Sequence, residues 1–271
     1  MAMKDTCIAF IGGGNMASAI LGGLLRQGTR PDQLWVVDPS PEVATRLQAQ
    51  GVRVIAQADT PLKQADLVVW AVKPQVFAQA ASLALPFLSS ALHLSVAAGI
   101  TSDSIAGWLG TQRIVRAMPN TPALVGLGQT GLFARGSVTP VDRQSVLNVL
   151  ASTGQCTWVE QESLLDAVTA LSGSGPAYFF YFIESMVRAG VAMGLSEAQA
   201  KQLAVGTMAG AAELARTSTD SPAVLREKVT SKGGTTYAAL THMMETKVGA
   251  HFEEALDKAR ARAAELGKEF G

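Results

Sequence analysis

Two glycine-bearing segments carry the residue types best suited to chemistry. Near the start of the chain, IAFIGGGNMASAI sets Gly12, Gly14 and Ala17 in a G-x-G-x-x-A spacing. The spacing lies between an apolar run and the start of a helical pattern. There Gly12 makes a tight turn, Gly14 lets backbone approach a pyrophosphate, and Ala17 lets the helix pack on a sheet. The chemistry implied is dinucleotide binding. Toward the other end, VTSKGGTTYAAL sets Gly233, Gly234, Thr235 and Thr236 at the start of a second helix. Backbone N–H groups at a helix start are unpaired and sit at the positive end of the dipole, so this segment is a second anion cradle.

Further residues gather around the first cradle. VVDPS closes a second apolar run, and Asp38 stands where an acid grips an adenosine ribose 2′-hydroxyl, which favours NAD. Ser40 and Arg46 are near enough in sequence to accommodate a 2′-phosphate, so the residues leave NAD and NADP both open. WAVKPQ and SVAAG end later apolar runs, and the carboxyl ends of strands are where such sheets bind ligands. Lys73 in the first of these is a cofactor neighbour or a plain surface charge.

Hydride transfer is the default reaction of such a cradle, and the remaining residues narrow the acceptor. No Tyr-x-x-x-Lys pair is present: Phe182 follows Tyr178 by four, and Thr241 follows Tyr237 by four. His93, His242 and His251 have no metal spacing, and HExxH and GxSxG are both absent. SGSGPAYFFYF is similar to a loop-to-helix junction of β-hydroxyacid dehydrogenases, but Tyr178, Phe179 and Phe180 fill the region of their catalytic lysine. That disfavours keto-acid reduction. An imine is different, because its nitrogen is basic enough to protonate beforehand and the iminium accepts hydride readily. Such a reaction needs orientation and modest proton delivery. One cradle then serves cofactor phosphates and the other a substrate carboxylate.

The elements that must position these residues fall into two kinds. Apolar, β-branched runs at Cys7–Ile11, Leu34–Val37, Val52–Ile55, Leu67–Ala71, Leu92–Val96 and Arg113–Met118 alternate with helical stretches at Asn15–Gln27, Pro41–Gln50, Pro74–Leu85 and Ser102–Trp108. Strands apolar throughout and alternating with helices predict a doubly wound parallel sheet of the Rossmann type, covered on both faces. Gly131–Ala134 and Thr157–Val159 flank another helix, capped by Thr139 with Pro140 first. After about Glu160 strand-like runs vanish. Helices are expected over Leu164–Leu171, Pro176–Met193, from a Ser196–Gln199 capping box to about Arg216, after Ser221, after Gly234, and over Ala250–Glu269. The expected division is a dinucleotide-binding domain over residues 1–160 and an all-α substrate and dimerisation domain over residues 161–271.

Composition supports this. The chain has 271 residues, 48% hydrophobic and 16% charged, enough for two domains with a substantial core. Its 22 basic and 22 acidic residues balance, which argues against nucleic acid and permits self-association. Cys7 and Cys156 lie in apolar runs and read as reduced, buried thiols. No signal peptide opens the chain, and the uncharged stretch from Pro74 to Ser102 is broken by Pro86, His93 and Ser95, so no membrane span is expected. A cytoplasmic location follows as an expectation.

Taken together, IGGGNMA, AVKPQ, SVAAG, RAMPNTPA, SGSGPAY and VTSKGGTT, in this order and spacing along the whole chain, resemble the 1-pyrroline-5-carboxylate reductases. The resemblance implies reduction of 1-pyrroline-5-carboxylate to proline, with NADPH or NADH as donor, and a helical domain that interlocks with its copy in a homodimer or higher homo-oligomer. It implies that Ile11, Gly12, Gly13, Gly14, Asn15, Met16, Ala71, Val72, Lys73, Pro74, Ala97, Ala98 and Gly99 line the cofactor, while Asp38 is placed at the ribose by its position after the second apolar run alone. Pro119 and Asn120 would lie near the nicotinamide. Gly233, Gly234, Thr235 and Thr236 would hold the imino acid, with the Thr236 hydroxyl as proton donor. Asp38 stands where the family often has a small or hydroxyl residue. Two other readings share the scaffold: a related imine reductase or β-hydroxyacid dehydrogenase-like enzyme, and a dinucleotide sensor without turnover.

Overall fold

The computed structural model describes residues 6–88 and 90–270. Backbone contacts divide them into two compact units. The first contains the residues up to Ser174 together with those from Ala259 onward, and the second is Gly175–Lys258.

The first unit is built on an eight-stranded sheet in the order β3-β2-β1-β4-β5-β6-β7-β8. The strands are β1 (Ile8–Ile11), β2 (Leu34–Val37), β3 (Arg53–Ile55), β4 (Leu67–Trp70), β5 (Leu92–Ser95), β6 (Ile114–Met118), β7 (Gly128–Ala134) and β8 (Gly154–Trp158). Helices α1 (Asn15–Arg26), α2 (Pro41–Gln48), α3 (Pro74–Ala84), α4 (Ser102–Leu109) and α5 (Pro140–Leu150) lie between them, and α6 (Leu164–Val168) follows β8. The apolar runs are continuous because alternate residues feed two cores. Ile8 and Phe10 join Ile20, Leu21 and Leu24 of α1 and Val146, Val149 and Leu150 of α5 on one face. Ala9, Ile11, Val68 and Trp70 join Phe77 of α3 and Ile105 of α4 on the other. Burying side chains of this size stabilises by about 1.5–3 kcal/mol each.

One pairing departs from the all-parallel expectation: β6 and β7 are antiparallel, with Ala117 opposite Leu132. The link between them is a single short 3-10 turn, Thr121–Val125, too short for the crossover that parallel strands require. β7 and β8 then pair in parallel across α5.

His93 sits inside β5 and is 3% exposed. Its Nδ1 accepts a hydrogen bond from the Trp70 indole N–H at 3.1 Å, so it is a structural, neutral histidine. Burial, with the Arg113 charge second, lowers its pKa to about 4. Arg113 also forks onto Asp142 of α5, with Nε and Nη2 donating at 3.2 and 2.6 Å. Asp142 in turn accepts the Thr139 N–H at 3.0 Å, which closes the predicted cap of α5. Cys7 and Cys156 are unpaired, and burial pushes both thiols up in pKa.

The second unit is helical. It holds α7 (Gly175–Ala192), α8 (Glu197–Thr217), α9 (Pro222–Lys228), α10 (Thr235–Glu245) and the first part of α11 (Val248–Phe270). α7 and α8 form a hairpin. A Cβ on Gly190 would stand 2.8 Å from that of Ala200, so the small residues there permit close helix approach. Ser196 and Gln199 make the expected capping box, exchanging bonds of 2.9 and 3.3 Å. Tyr178, Phe182 and Phe252 form an aromatic cluster with edge contacts at 5.7 and 5.9 Å. Few of its side chains are buried, and Phe179, Phe180, Tyr181, Met193, Leu203 and Leu214 are all exposed.

The contact boundary at Ser174 lies beyond the change of character near Glu160. The reason is local. α6 and the π turn Thr169–Gly173 pack back on β7, so helical chain continues inside the first unit before the second begins. The end of α11 returns to the first unit, where Leu266 packs beside Gly99. Among the described residues, no helix is long and apolar enough to cross a membrane.

Candidate functional site

The first cradle forms where β1 ends and α1 begins. Gly12 has φ +98°, a conformation that side-chain-bearing residues rarely adopt. Its N–H donates to the Val37 carbonyl at 2.9 Å, which ties the turn to the end of β2. A Cβ on Gly13 would strike the Val43 side chain of α2. Gly14 differs, because nothing lies within 4 Å of where its Cβ would be. It caps α1 without a side-chain bond, and no acid occupies the first turn. The first-turn N–H groups of Asn15 and Met16 are therefore left for an outside acceptor. A pyrophosphate fits this opening: the protein itself makes no demand for glycine at position 14, while a backbone-hugging anion does.

Asp38 follows β2 directly. Its Oδ2 accepts the Gly13 N–H at 2.7 Å and its Oδ1 accepts the Ser40 N–H at 2.9 Å. Arg46 reaches back from α2, donating to the Gly13 carbonyl at 2.8 Å and the Ser18 hydroxyl at 3.1 Å. The glycine loop is thus braced by two side chains as well as by its own turn.

The other expected cofactor residues lie at the carboxyl ends of neighbouring parallel strands. Ala71 and Val72 follow β4, and Lys73 caps α3 with Pro74 at its first position. Ala97, Ala98 and Gly99 follow β5, where the Ser95 hydroxyl accepts the Ala97 N–H at 3.3 Å. Pro119 and Asn120 follow β6. The strand order changes direction between β1 and β4, and ligands of such sheets bind at that point. The structure thus brings the expected residues to one edge of one sheet.

Asn120 has a further duty that the sequence did not disclose. It is 8% exposed, and both ends of its amide are engaged. Nδ2 donates to the Ser172 carbonyl at 3.0 Å, and Oδ1 accepts the Gln129 N–H at 2.9 Å. It therefore clamps the end of β6, the start of β7 and the π turn to one another. A second group went unnoticed. The Glu162 carboxylate accepts the Ser102 N–H at 2.6 Å, at the positive end of α4, and Arg116 of β6 at 2.6 Å. Asp166 has its pKa raised by burial, opposed by Arg116 and Arg260. An arginine inside an otherwise apolar strand, IVRAM, is the sequence signal that could have pointed here.

The second cradle precedes α10. Gly233 has φ +75°, and a Cβ on Gly234 would stand 2.7 Å from the Ser231 hydroxyl. Gly233 is required by the turn, and Gly234 leaves room for the Ser231 side chain. Gly234 caps α10 with no side-chain bond, and the first turn holds no acid. The N–H groups of Thr235 and Thr236 are free by helix geometry. Thr235 is exposed and Thr236 half-buried. Next to this turn, Arg226, Lys232 and Tyr237 help line a cavity of about 340 Å³. Gly233, Gly234, Thr235 and Thr236 do not line it. Among the described residues, no group of three or more His, Cys, Asp or Glu is arranged to hold a metal.

The chain is similar to known proteins along its whole length. Residues 162–266 match the family described as pyrroline-5-carboxylate reductase dimerisation. Residues 7–99 match that described as NADP oxidoreductase, coenzyme F420-dependent. The chain is 40% identical to a pyrroline-5-carboxylate reductase of Pseudomonas aeruginosa over 272 residues, covering 99% of this chain and 100% of the relative. Among solved structures it is similar to a pyrroline-5-carboxylate reductase from Coxiella burnetii, with a TM-score of 0.91, 37% identity and coverage of 97% and 99% of the two chains. It is also similar to the Plasmodium falciparum pyrroline carboxylate reductase with NADP bound, with a TM-score of 0.88, 29% identity and coverage of 98% and 99%.

Proposed function

The chain belongs to the pyrroline-5-carboxylate reductase family, and on that premise we propose how its residues divide the work of one hydride transfer. Its reaction is the NAD(P)H-dependent reduction of 1-pyrroline-5-carboxylate to proline, in proline biosynthesis. Residues 1–160 serve as the dinucleotide-binding part and residues 161–271 as the substrate and dimerisation part.

The dinucleotide, when bound, supplies the hydride. Asn15, Met16 and the open face of Gly14 would hold its pyrophosphate at the start of α1. Ala71, Val72, Lys73, Pro74, Ala97, Ala98, Gly99 and Pro119 border it along the strand ends. Asn120 acts there by holding the loops in place, since its own amide is already engaged.

The start of α10 takes the substrate carboxylate on the N–H groups of Thr235 and Thr236. A helix dipole favours an anion by about 0.3–1 kcal/mol, and charge-assisted hydrogen bonds add to this. Thr236 then faces the ring nitrogen. The imine is basic enough to carry a proton before transfer. The Thr236 hydroxyl oxygen accepts that N–H, and when the ring arrives neutral the hydroxyl donates its proton to the ring nitrogen and takes one back from water. The observation that supports this reading is the uncapped, acid-free start of α10 behind Gly233 and Gly234.

The exposed aromatic and aliphatic side chains of α7 and α8 support a homodimer or higher homo-oligomer, since a monomer seldom leaves so much apolar surface open. The unpaired cysteines and the use of a reduced dinucleotide support a cytoplasmic setting. The test is oxidation of NADH and of NADPH, followed by absorbance, with 1-pyrroline-5-carboxylate and, separately, simple keto acids. Turnover with the imino acid alone supports the assignment, and turnover confined to keto acids overturns it.

A further inference from the structure

We propose that Asp38 makes this chain discriminate between the two nicotinamide dinucleotides, binding the one without a 2′-phosphate more tightly. The inference rests on the dinucleotide reading of the first cradle and sharpens it.

Position is the first support. β2 ends at Val37 and lies parallel to β1, and the Gly12 N–H bonds the Val37 carbonyl. The residue after β2 therefore stands beside the glycine turn, where an adenosine ribose is read in sheets of this kind.

The way Asp38 is held is the second. One carboxylate oxygen accepts the Gly13 N–H at 2.7 Å and the other accepts the Ser40 N–H at 2.9 Å. The group cannot rotate away from an incoming phosphate without leaving a backbone N–H unpaired. Each oxygen nevertheless keeps acceptor capacity for a ribose hydroxyl. A 2′-hydroxyl can donate to it, whereas a 2′-phosphate has only acceptors and negative charge to offer.

The surrounding charge is the third. Pro41 and Glu42 open α2, so the helix start adds a carboxylate and lacks one N–H. The Ser40 hydroxyl already accepts the Val43 N–H at 3.4 Å. Arg46 would be the natural phosphate partner, but Nη2 is engaged at 2.8 Å with the Gly13 carbonyl and at 3.1 Å with the Ser18 hydroxyl. Drawing it outward would release the brace on the glycine loop. A 2′-phosphate thus meets a fixed carboxylate, and the nearest arginine already spends one guanidinium nitrogen on the glycine loop.

Equilibrium titration of the purified chain with NAD+ and with NADP+, by calorimetry, tests this without turnover. The wild type is expected to bind NADP+ about ten-fold or more weakly than NAD+. Asp38→Asn removes the charge yet keeps one oxygen acceptor for the loop, and should narrow that ratio about ten-fold. Equal or tighter wild-type binding of NADP+ overturns the proposal, as does an unchanged ratio in Asp38→Asn. Because the wild-type ratio is decisive alone, poor folding of the variant does not shelter the idea. Failure of the wild type to bind either dinucleotide would instead remove the cradle reading, and this inference with it.

Discussion

Gly12 stands against the backbone of Ala71: a Cβ added to it would lie 2.7 Å from the Ala71 carbonyl oxygen. Gly14, two residues on, meets nothing within 4 Å. The fold demands glycine at position 12 and makes no such demand at position 14, where the proposed ligand would, and substitution should separate the two. Gly12→Ala forces a side chain into φ +98° and against β4, and should lower stability by about 1–3 kcal/mol. Gly14 has φ −68° and ψ −167°, which valine adopts. Gly14→Val should therefore melt like the wild type and fail to bind dinucleotide. Thermal melts and dinucleotide titrations of both variants check this, and normal titration of Gly14→Val would contradict it.

Thr236 should matter to turnover and not to the cofactor. Thr236→Ala is expected to lower kcat/KM by about 10²-fold, the low end for loss of a proton-handling group, with dinucleotide affinity unchanged. Thr236→Ser should recover most of the loss. If Thr236→Ala keeps wild-type kcat/KM, the hydroxyl has no part in the reaction.

The two glycine turns were legible because each rests on local backbone demands. Gly12 and Gly13 are dictated by a turn and a helix contact, while open space lies where a Cβ on Gly14 would stand. Gly233 is dictated by the positive φ of its turn. The strands were legible because residues such as Ile8 and Ala9 feed opposite cores, which leaves no polar break in the run. The antiparallel β7 was less so. Gly128 and Gly131 interrupt its apolar pattern, and the brevity of the Thr121–Val125 link decides its direction. The double engagement of Asn120, and the pairing of Arg116 with Glu162, join residues distant in sequence, and periodicity carries no trace of them. The extent of the first unit was hidden for a similar reason: α6 and the π turn look as helical as α7, and only their packing on β7 assigns them.

His93 gives the first unit an acid-side weakness. Its folded pKa is about 4, while an unfolded histidine titrates near 6.5. Above that value neither state carries the extra proton. As pH falls, the unfolded chain takes up a proton that the folded chain refuses, so stability declines between about pH 6.5 and 4 and levels off below. The full loss is on the order of 3 kcal/mol. Urea midpoints of wild type and His93→Gln at pH 7 and 4.5 should show a steeper decline in the wild type. Parallel declines would mean that His93 does not control it.

Phe179 and Phe180 are 58% and 59% exposed on α7, and contact with a second copy would cover them. The wild type should run as a dimer or larger species in dilute sizing experiments. The double variant Phe179→Asp, Phe180→Asp should dissociate while keeping dinucleotide affinity in the first unit. A monomeric wild type would contradict the proposed assembly.

The most direct test of the central claim is a crystal structure of the chain with proline and oxidised dinucleotide bound together. The expected result has the proline carboxylate on the N–H groups of Thr235 and Thr236, its ring nitrogen at the Thr236 hydroxyl, and the pyrophosphate against Gly14. A carboxylate held elsewhere, or a pyrophosphate away from the start of α1, would contradict the two-cradle account.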